Sequence, residues 1–217
     1  GHSLDRHLSI TSDVVNGEVT GAYSFTTLVP SLMNTLKGYV PALVNVTQKK
    51  QKFMENNFSL LLTIENTEAI SNTLKLPFTM LNQGRITGHY NNQYNRFRFE
   101  AYLPKFNIGK SMFESGHLTC DNPADKANLQ LKATNYNTKG LRNYLELKMD
   151  AENNRINTLI SWANNKARLF KADLSASTIF TEEITEKGPS KLRTDITLNE
   201  SPIVLNDTAW NVAPSSI

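Results

Sequence analysis

The sequence predicts an all-β protein: an elongated, mainly antiparallel, folded-over sheet with one short amphipathic helix near residues 28–43. Three observations carry this. First, residues 127–207 divide into short stretches in which apolar and polar residues alternate with a period close to two: LQLKAT at 129–134, LRNYLELKMDA at 141–151, RINTLISW at 155–162, ARLFKADLSAS at 167–177 and KLRTDITLNESPIVLND at 191–207. Second, the breaks between them are rich in Asn, Lys, Gly and Pro, which suit turns. Third, only one stretch of the chain has good helical spacing.

The 217 residues suit a single elongated β domain over 1–217, divisible into 1–120 with the helix and 121–217 with the strand ladder. An apolar fraction of 39% and a charged fraction of 20% support a core and argue against disorder. The net charge of +3 is small and the basic residues are scattered, which argues against a nucleic-acid partner. Cys120 is alone, so it has no internal disulfide partner. No apolar run approaches the roughly 20 residues that span a bilayer, and no signal peptide opens the chain. The chain begins and stops in mid-pattern, as an internal, soluble fragment of a longer protein would.

Taken in order, Leu8 and Ile10 alternate with polar neighbours, and Asn16-Gly17 predicts a tight hairpin turn. Leu28, Leu32, Met33, Leu36, Tyr39, Val40 and Leu43 recur at spacings of three and four, which predicts the helix. Thr27 or Ser31 could cap it, Pro30 suits its first turn, and Pro41 should kink or end it. The run FSLLLTIE at 58–65 reads as a strand and Asn66 to Ser71 as a polar break with room for a helical turn. Leu74, Leu76 and Phe78 alternate until Leu81, before a turn at Asn82-Gln83-Gly84. Phe97, Phe99 and Ala101 share one face of a strand, with Arg96, Arg98 and Glu100 on the other. An extended segment at 105–113, interrupted near Pro104, and a short strand at 116–120 lead into the ladder. Asn153-Asn154 and Asn164-Asn165 tolerate left-handed backbone, so hairpins are expected there.

Chemistry is hard to find. His2, His7, His89 and His117 have no evident partners at metal-ligand spacing. His89, beside Gly88, reads as a surface or turn residue. His117 and Cys120 are three apart, which invites a zinc or Cys-His reading, but in a strand their side chains face opposite ways. Glu182, Glu183 and Glu186 precede Gly188-Pro189, so a solvated loop outweighs a carboxylate pair. No phosphate-cradling or nucleophile-elbow motif occurs. An enzyme is not expected, and no cofactor or metal.

The apolar sheet face is what remains. It is either ordinary core or a groove that binds acyl chains by burial, at roughly 0.8 kcal/mol per CH₂. The residues expected to line the groove or core are Leu129, Leu131, Leu145, Leu147, Met149, Ile160, Trp162, Leu192, Ile196 and Leu198.

HLSITSDVVNGEVTGAYSFTTLVPSL at 7–32, FTMLNQGRITGHY at 78–90 and SPIVLNDTAWNVAPSSI at 201–217 together resemble the TamB group of the AsmA-like superfamily, in its Bacteroidetes form. Asp13, Gly17 and Gly21 before the helix, and Ile203 to Trp210, carry most of the likeness. The resemblance implies a β-taco fold and a Gram-negative periplasmic lipid conduit. It implies an inner-membrane anchor outside this chain and a BamA-type outer-membrane barrel as partner. It also implies roles in phospholipid transport, outer-membrane biogenesis and protein assembly or secretion. The competing reading is a structural or carbohydrate-binding β module of a large surface protein, with Tyr90, Tyr94 and Tyr102 as a stacking patch.

Overall fold

Alternation of this kind dictates a two-faced sheet, and a computed structural model lays it out for residues 5–44, 55–124, 126–136, 140–164, 170–183 and 191–217. The first half of the chain contributes β1 (Asp5–Ile10), β2 (Val15–Ala22), α1 (Phe25–Lys37), β3 (Asn57–Ile64), α2 (Glu68–Leu74), β4 (Phe78–Met80), β5 (Gly84–Asn91), β6 (Arg96–Ile108) and β7 (Ser111–Asp121). The second half contributes β8 (Ala127–Tyr136), β9 (Arg142–Glu152), β10 (Arg155–Asn164), β11 (Lys171–Glu183), β12 (Lys191–Leu198), β13 (Ser201–Leu205), β14 (Thr208–Val212) and β15 (Ser215–Ser216).

All strands join one sheet in the order β1-β2-β3-β5-β6-β7-β8-β9-β10-β11-β12-β15, with β4 on β6, β13 on β11 and β14 on β13. Every pairing is antiparallel, as short connections require. The path begins at β1 and ends at β15 without returning, so the sheet is elongated and open rather than closed as a barrel.

Because paired residues share a face, the register sorts the side chains. Leu8, Val19, Leu60, Gly88, Phe99, Cys120, Leu129, Met149, Thr158, Ala176 and Leu198 stand opposite one another in succession across eleven strands. One residue away, the same strands present His7, Thr20, Ser59, His89, Arg98, Asp121, Asn128, Asp150, Asn157, Ser177 and Thr197. The first row is largely apolar and the second wholly polar. Gly88 sits in the apolar row because the Phe99 ring lies over it: a Cβ there would come within 2.2 Å of that ring.

Two clusters cover the apolar face in the first half. Tyr23, Tyr39, Phe58, Tyr90 and Phe97 pack beneath α1, with Leu28 and Leu32 against them. Met80, Ala101, Leu103, Phe106 and Ala133 form the other, where β4 folds back over β6. Around Ser115 (φ 54°) the β7–β8 register shifts, and Phe113 turns into this second cluster.

Several expectations need correction. Asn16-Gly17 lies inside β2, not at a turn. The turn falls earlier, where Ser12 Oγ accepts from Val15 N (2.9 Å) and Asn16 Oδ1 accepts from Ser12 N (3.1 Å). Gly17, at φ +156°, instead permits close approach of β3: a Cβ there would meet Leu61 O at 2.1 Å. The helix starts at Phe25 after Ser24 and ends at Lys37, so Pro30 is interior and residues 38–44 are turn. A second helix, α2, occupies the polar break and takes Leu74 from the expected strand. The strand interrupted near Pro104 runs unbroken from Arg96 to Ile108. Residue 165 and residues 167–169 of the ladder lie outside the described residues.

α1 also does not dock by its apolar stripe alone. Leu36 is exposed, whereas Ser31 and Thr35 are buried. Thr35 Oγ1 hydrogen-bonds Tyr90 OH (3.0 Å), and Asn56 Nδ2 donates to Thr27 Oγ1 and Ser31 Oγ (both 3.2 Å). Beyond the helix, Asn122 Nδ2 donates to Tyr39 OH and to Asn95 O, while its Oδ1 accepts from Phe97 N at 2.8 Å. Asn122→Ala therefore deletes three buried or half-buried hydrogen bonds. An expected loss of about 1–3 kcal/mol should appear as an earlier urea midpoint; an unchanged midpoint would remove Asn122 as the latch.

Candidate functional site

The ten residues expected to line a groove or core all fall on the apolar face. Leu131, Leu147 and Ile160 are consecutive partners, extended by Leu118 on β7 and Leu174 on β11. Leu129 pairs with Met149. Leu145 pairs with Trp162, whose row continues through Ala172 and Ile203 to Trp210. Ile196 stands opposite Thr178, and Leu198 opposite Ala176. Leu192 is the outlying member, opposite Glu182 near the end of β11.

Burial divides this face. Among the described residues, every buried hydrophobic lies at or before Ala133. Beyond it the same apolar rows are only partly buried: Ile160, Leu192 and Ile196 are each 40–48% exposed, Trp210 is 62% exposed, and the remaining seven candidates are half-buried. At one end Tyr39 O accepts from Asn154 N of the β9–β10 hairpin (2.9 Å), and Ala42 N donates to Asn154 Oδ1 (2.7 Å). On β8–β11 this face carries no Lys, Arg or Asp among the described residues. Asn135, Asn143 and Asn164 stand in line at one end and Glu182 at the other. Leu118, Ile156, Leu174, Ile203 and Trp210 belong to the same band but were not among the residues expected to line it. Strand parity alone could have added Leu174 and Ile156, which shares the face of Ile160 and Trp162.

The charges sit on the opposite face. Glu146 takes Lys132 (3.6 Å), Lys148 (3.3 Å) and the Gln130 amide (2.6 Å), and Lys171 pairs with Asp173 at 2.8 Å. Lys171 first, then the Ser161 hydroxyl, hold the Asp173 carboxyl below its usual range. Burial alone would raise Glu146, but its hydrogen bonds from Gln130 and Lys148 outweigh that and leave it lowered.

Among the described residues, the sequence's candidate reactive groups do not come together. His117 pairs with Tyr102 on the polar face while Cys120 pairs with Phe99 on the apolar one, so the two diverge as strand geometry requires. His89 is exposed in β5, 3.3 Å from Ser59 Oγ. Glu182 and Glu183 alternate in β11, and Glu186 lies outside the described residues. Among the described residues, no three His, Cys, Asp or Glu side chains group as metal ligands, and no helix is long and apolar enough to cross a membrane. The tyrosine patch also fails: Tyr94 and Tyr102 are exposed but Tyr90 is fully buried.

Cys120 reports on the band. Burial, then the neighbouring Asp121, pushes its thiol above the usual range. A water-soluble disulfide reagent should label it more slowly than a free thiol at neutral pH, with the rate climbing only above the ordinary thiol pKa. Labelling as fast as free cysteine would place it in water.

Comparison with protein-family models, curated proteins and solved structures yields no match.

Proposed function

We propose that this chain is a non-enzymatic segment that carries phospholipid acyl chains along the apolar face of β8–β14. The supporting observation is the partly exposed apolar band: aligned Leu, Ile, Met and Trp side chains without Lys, Arg or Asp across β8–β11 among the described residues. Each methylene that leaves water for such a surface gains roughly 0.8 kcal/mol, so several contacts hold a chain without a specific polar contact. The row Asn135, Asn143 and Asn164 offers amides at the rim where headgroups would stay wet. Nothing in this reading calls for a catalytic group, metal or cofactor.

The resemblance to TamB-like proteins extends the proposal. The segment would then lie in the periplasm of a Gram-negative cell, within a longer protein anchored in the inner membrane. It would pass lipid toward the outer membrane and support outer-membrane biogenesis, with a BamA-type barrel as partner of the full-length protein.

The test is direct. Protein purified without detergent is extracted and also examined by native mass spectrometry. Bound phospholipid, displaced by a fluorescent fatty acid in competition, is the expected result. An empty protein that also fails to take up the fatty acid would sink the reading.

A further inference from the structure

The polar face carries a notch directly behind the acyl band. On β10, Ser161 and Ala163 are small, while the strands on either side present larger groups at the same level. Thr134, Tyr144, Ala163 and Lys171 are successive partners, and so are Lys132, Glu146, Ser161 and Asp173. Small residues on one strand between longer ones on its two neighbours leave a depression. Its volume is about 340 Å³, within the range of small-molecule sites.

The walls are chemically distinct. Tyr144 is 41% exposed, and Arg142 fixes the aromatic side of the notch: its guanidinium carbon lies 6.0 Å from the Tyr144 ring centroid and 5.5 Å from that of Tyr136. The opposite wall is the Lys171–Asp173 pair, with the Ser161 hydroxyl bonded to Asp173. Glu146 with Lys132 closes one end. Among the groups that line the notch, Lys132 and Lys171 are balanced by Glu146 and Asp173, while Arg142 and Lys148 stand outside the lining. Each carboxylate retains further acceptor lone pairs, each ammonium further protons, and Ser161 supplies both roles. Closely spaced donors and acceptors beside a fixed aromatic plane suit a ligand with adjacent hydroxyls on one side and C–H groups on the other.

From this geometry we infer that the β8–β11 notch is a binding site for a neutral carbohydrate. A pyranose ring rests its C–H face on Tyr144 and turns its hydroxyls to Asp173, Ser161 and Glu146. Its polar side chains leave the sheet on the face opposite the acyl band, although Ala133, Leu145 and Trp162 of the apolar rows also border it.

Maltohexaose, cellohexaose and mannohexaose are titrated into isotope-labelled protein and followed by amide NMR. At least one should give saturable shifts at Tyr144, Ser161, Ala163 and Asp173. Ala163→Leu fills the floor of the notch and should lose those shifts while fatty-acid uptake is unchanged. Tyr144→Ala should lose them too, and Tyr144→Phe should keep them, since the ring rather than the hydroxyl forms the wall. The inference is overturned if none of the three sugars gives saturable shifts there. It is equally overturned if folded Ala163→Leu and Tyr144→Ala both bind like the wild type. Loss of sugar binding with retained fatty-acid uptake would separate this site from the lipid reading.

Discussion

Leu147→Asp is expected to abolish acyl loading and leave the sheet folded. Leu147 is half-buried at the centre of the partly exposed band, flanked by Leu131 and Ile160 in register. A carboxylate there still reaches water, so the fold tolerates it, but an acyl chain crossing it would have to dehydrate the charge. That cost, several kcal/mol for a poorly paired ion, exceeds what a few methylenes return. The circular dichroism spectrum should keep its strand signature and the thermal midpoint should move little, while co-purified lipid disappears. Unfolding of the variant would instead mark position 147 as closed core.

The same variant carries an acid test. A carboxyl placed on apolar surface has its pKa raised, because the charged form loses solvation. As pH falls through that raised value the group becomes neutral, and part of the loading should return below about pH 5, starting from the ordinary aspartate value near 3.9. The wild type has no such charge at this position and should not gain loading over that interval. Loss that persists unchanged in acid would point to shape rather than charge.

The sequence makes the two-faced sheet legible because its period is local. Phe97, Phe99 and Ala101 could be assigned to one face from three letters each way, and Asn153-Asn154 to a hairpin, where both residues are left-handed (φ 51° and 60°). What it hid depends on distant partners. Ser31 and Thr35 look like the wet side of α1 and are its buried side, because Tyr90 on β5 and Asn56 just before β3 arrive with hydroxyl and amide groups to satisfy. Ser201, a polar residue inside the expected strand stretch 191–207, is fully buried: its hydroxyl accepts from Ser175 N (3.0 Å) and donates to Asn199 O (2.8 Å), filling the junction where β12 gives way to β13 on β11. The ten candidate residues could be placed on a face by parity. Their alignment into continuous rows follows from register, and the lack of fully buried hydrophobics beyond Ala133 among the described residues follows from where α1 packs.

Tyr90→Ala is expected to be the most damaging single change to stability. The side chain is fully buried, stands opposite both Phe58 and Phe97, and lies 5.7 Å from the Phe58 ring centroid. Truncation of a core aromatic costs about 3–5 kcal/mol, a large share of the 5–15 kcal/mol that holds a typical domain. The Thr35 hydroxyl would lose its partner as well, so α1 should loosen from the sheet. Tyr90→Phe isolates that second part and should cost roughly 1 kcal/mol. Urea unfolding measures both, and hydrogen exchange locates the loss: protection should fall first in β5, β6 and α1. Among the described residues, full apolar burial is concentrated at this end of the sheet. Tyr90→Ala should therefore remove loading only by unfolding the protein, whereas Leu147→Asp removes it from a folded one. Equal stability of Tyr90→Ala and wild type would mean that the core does not lie where the register puts it.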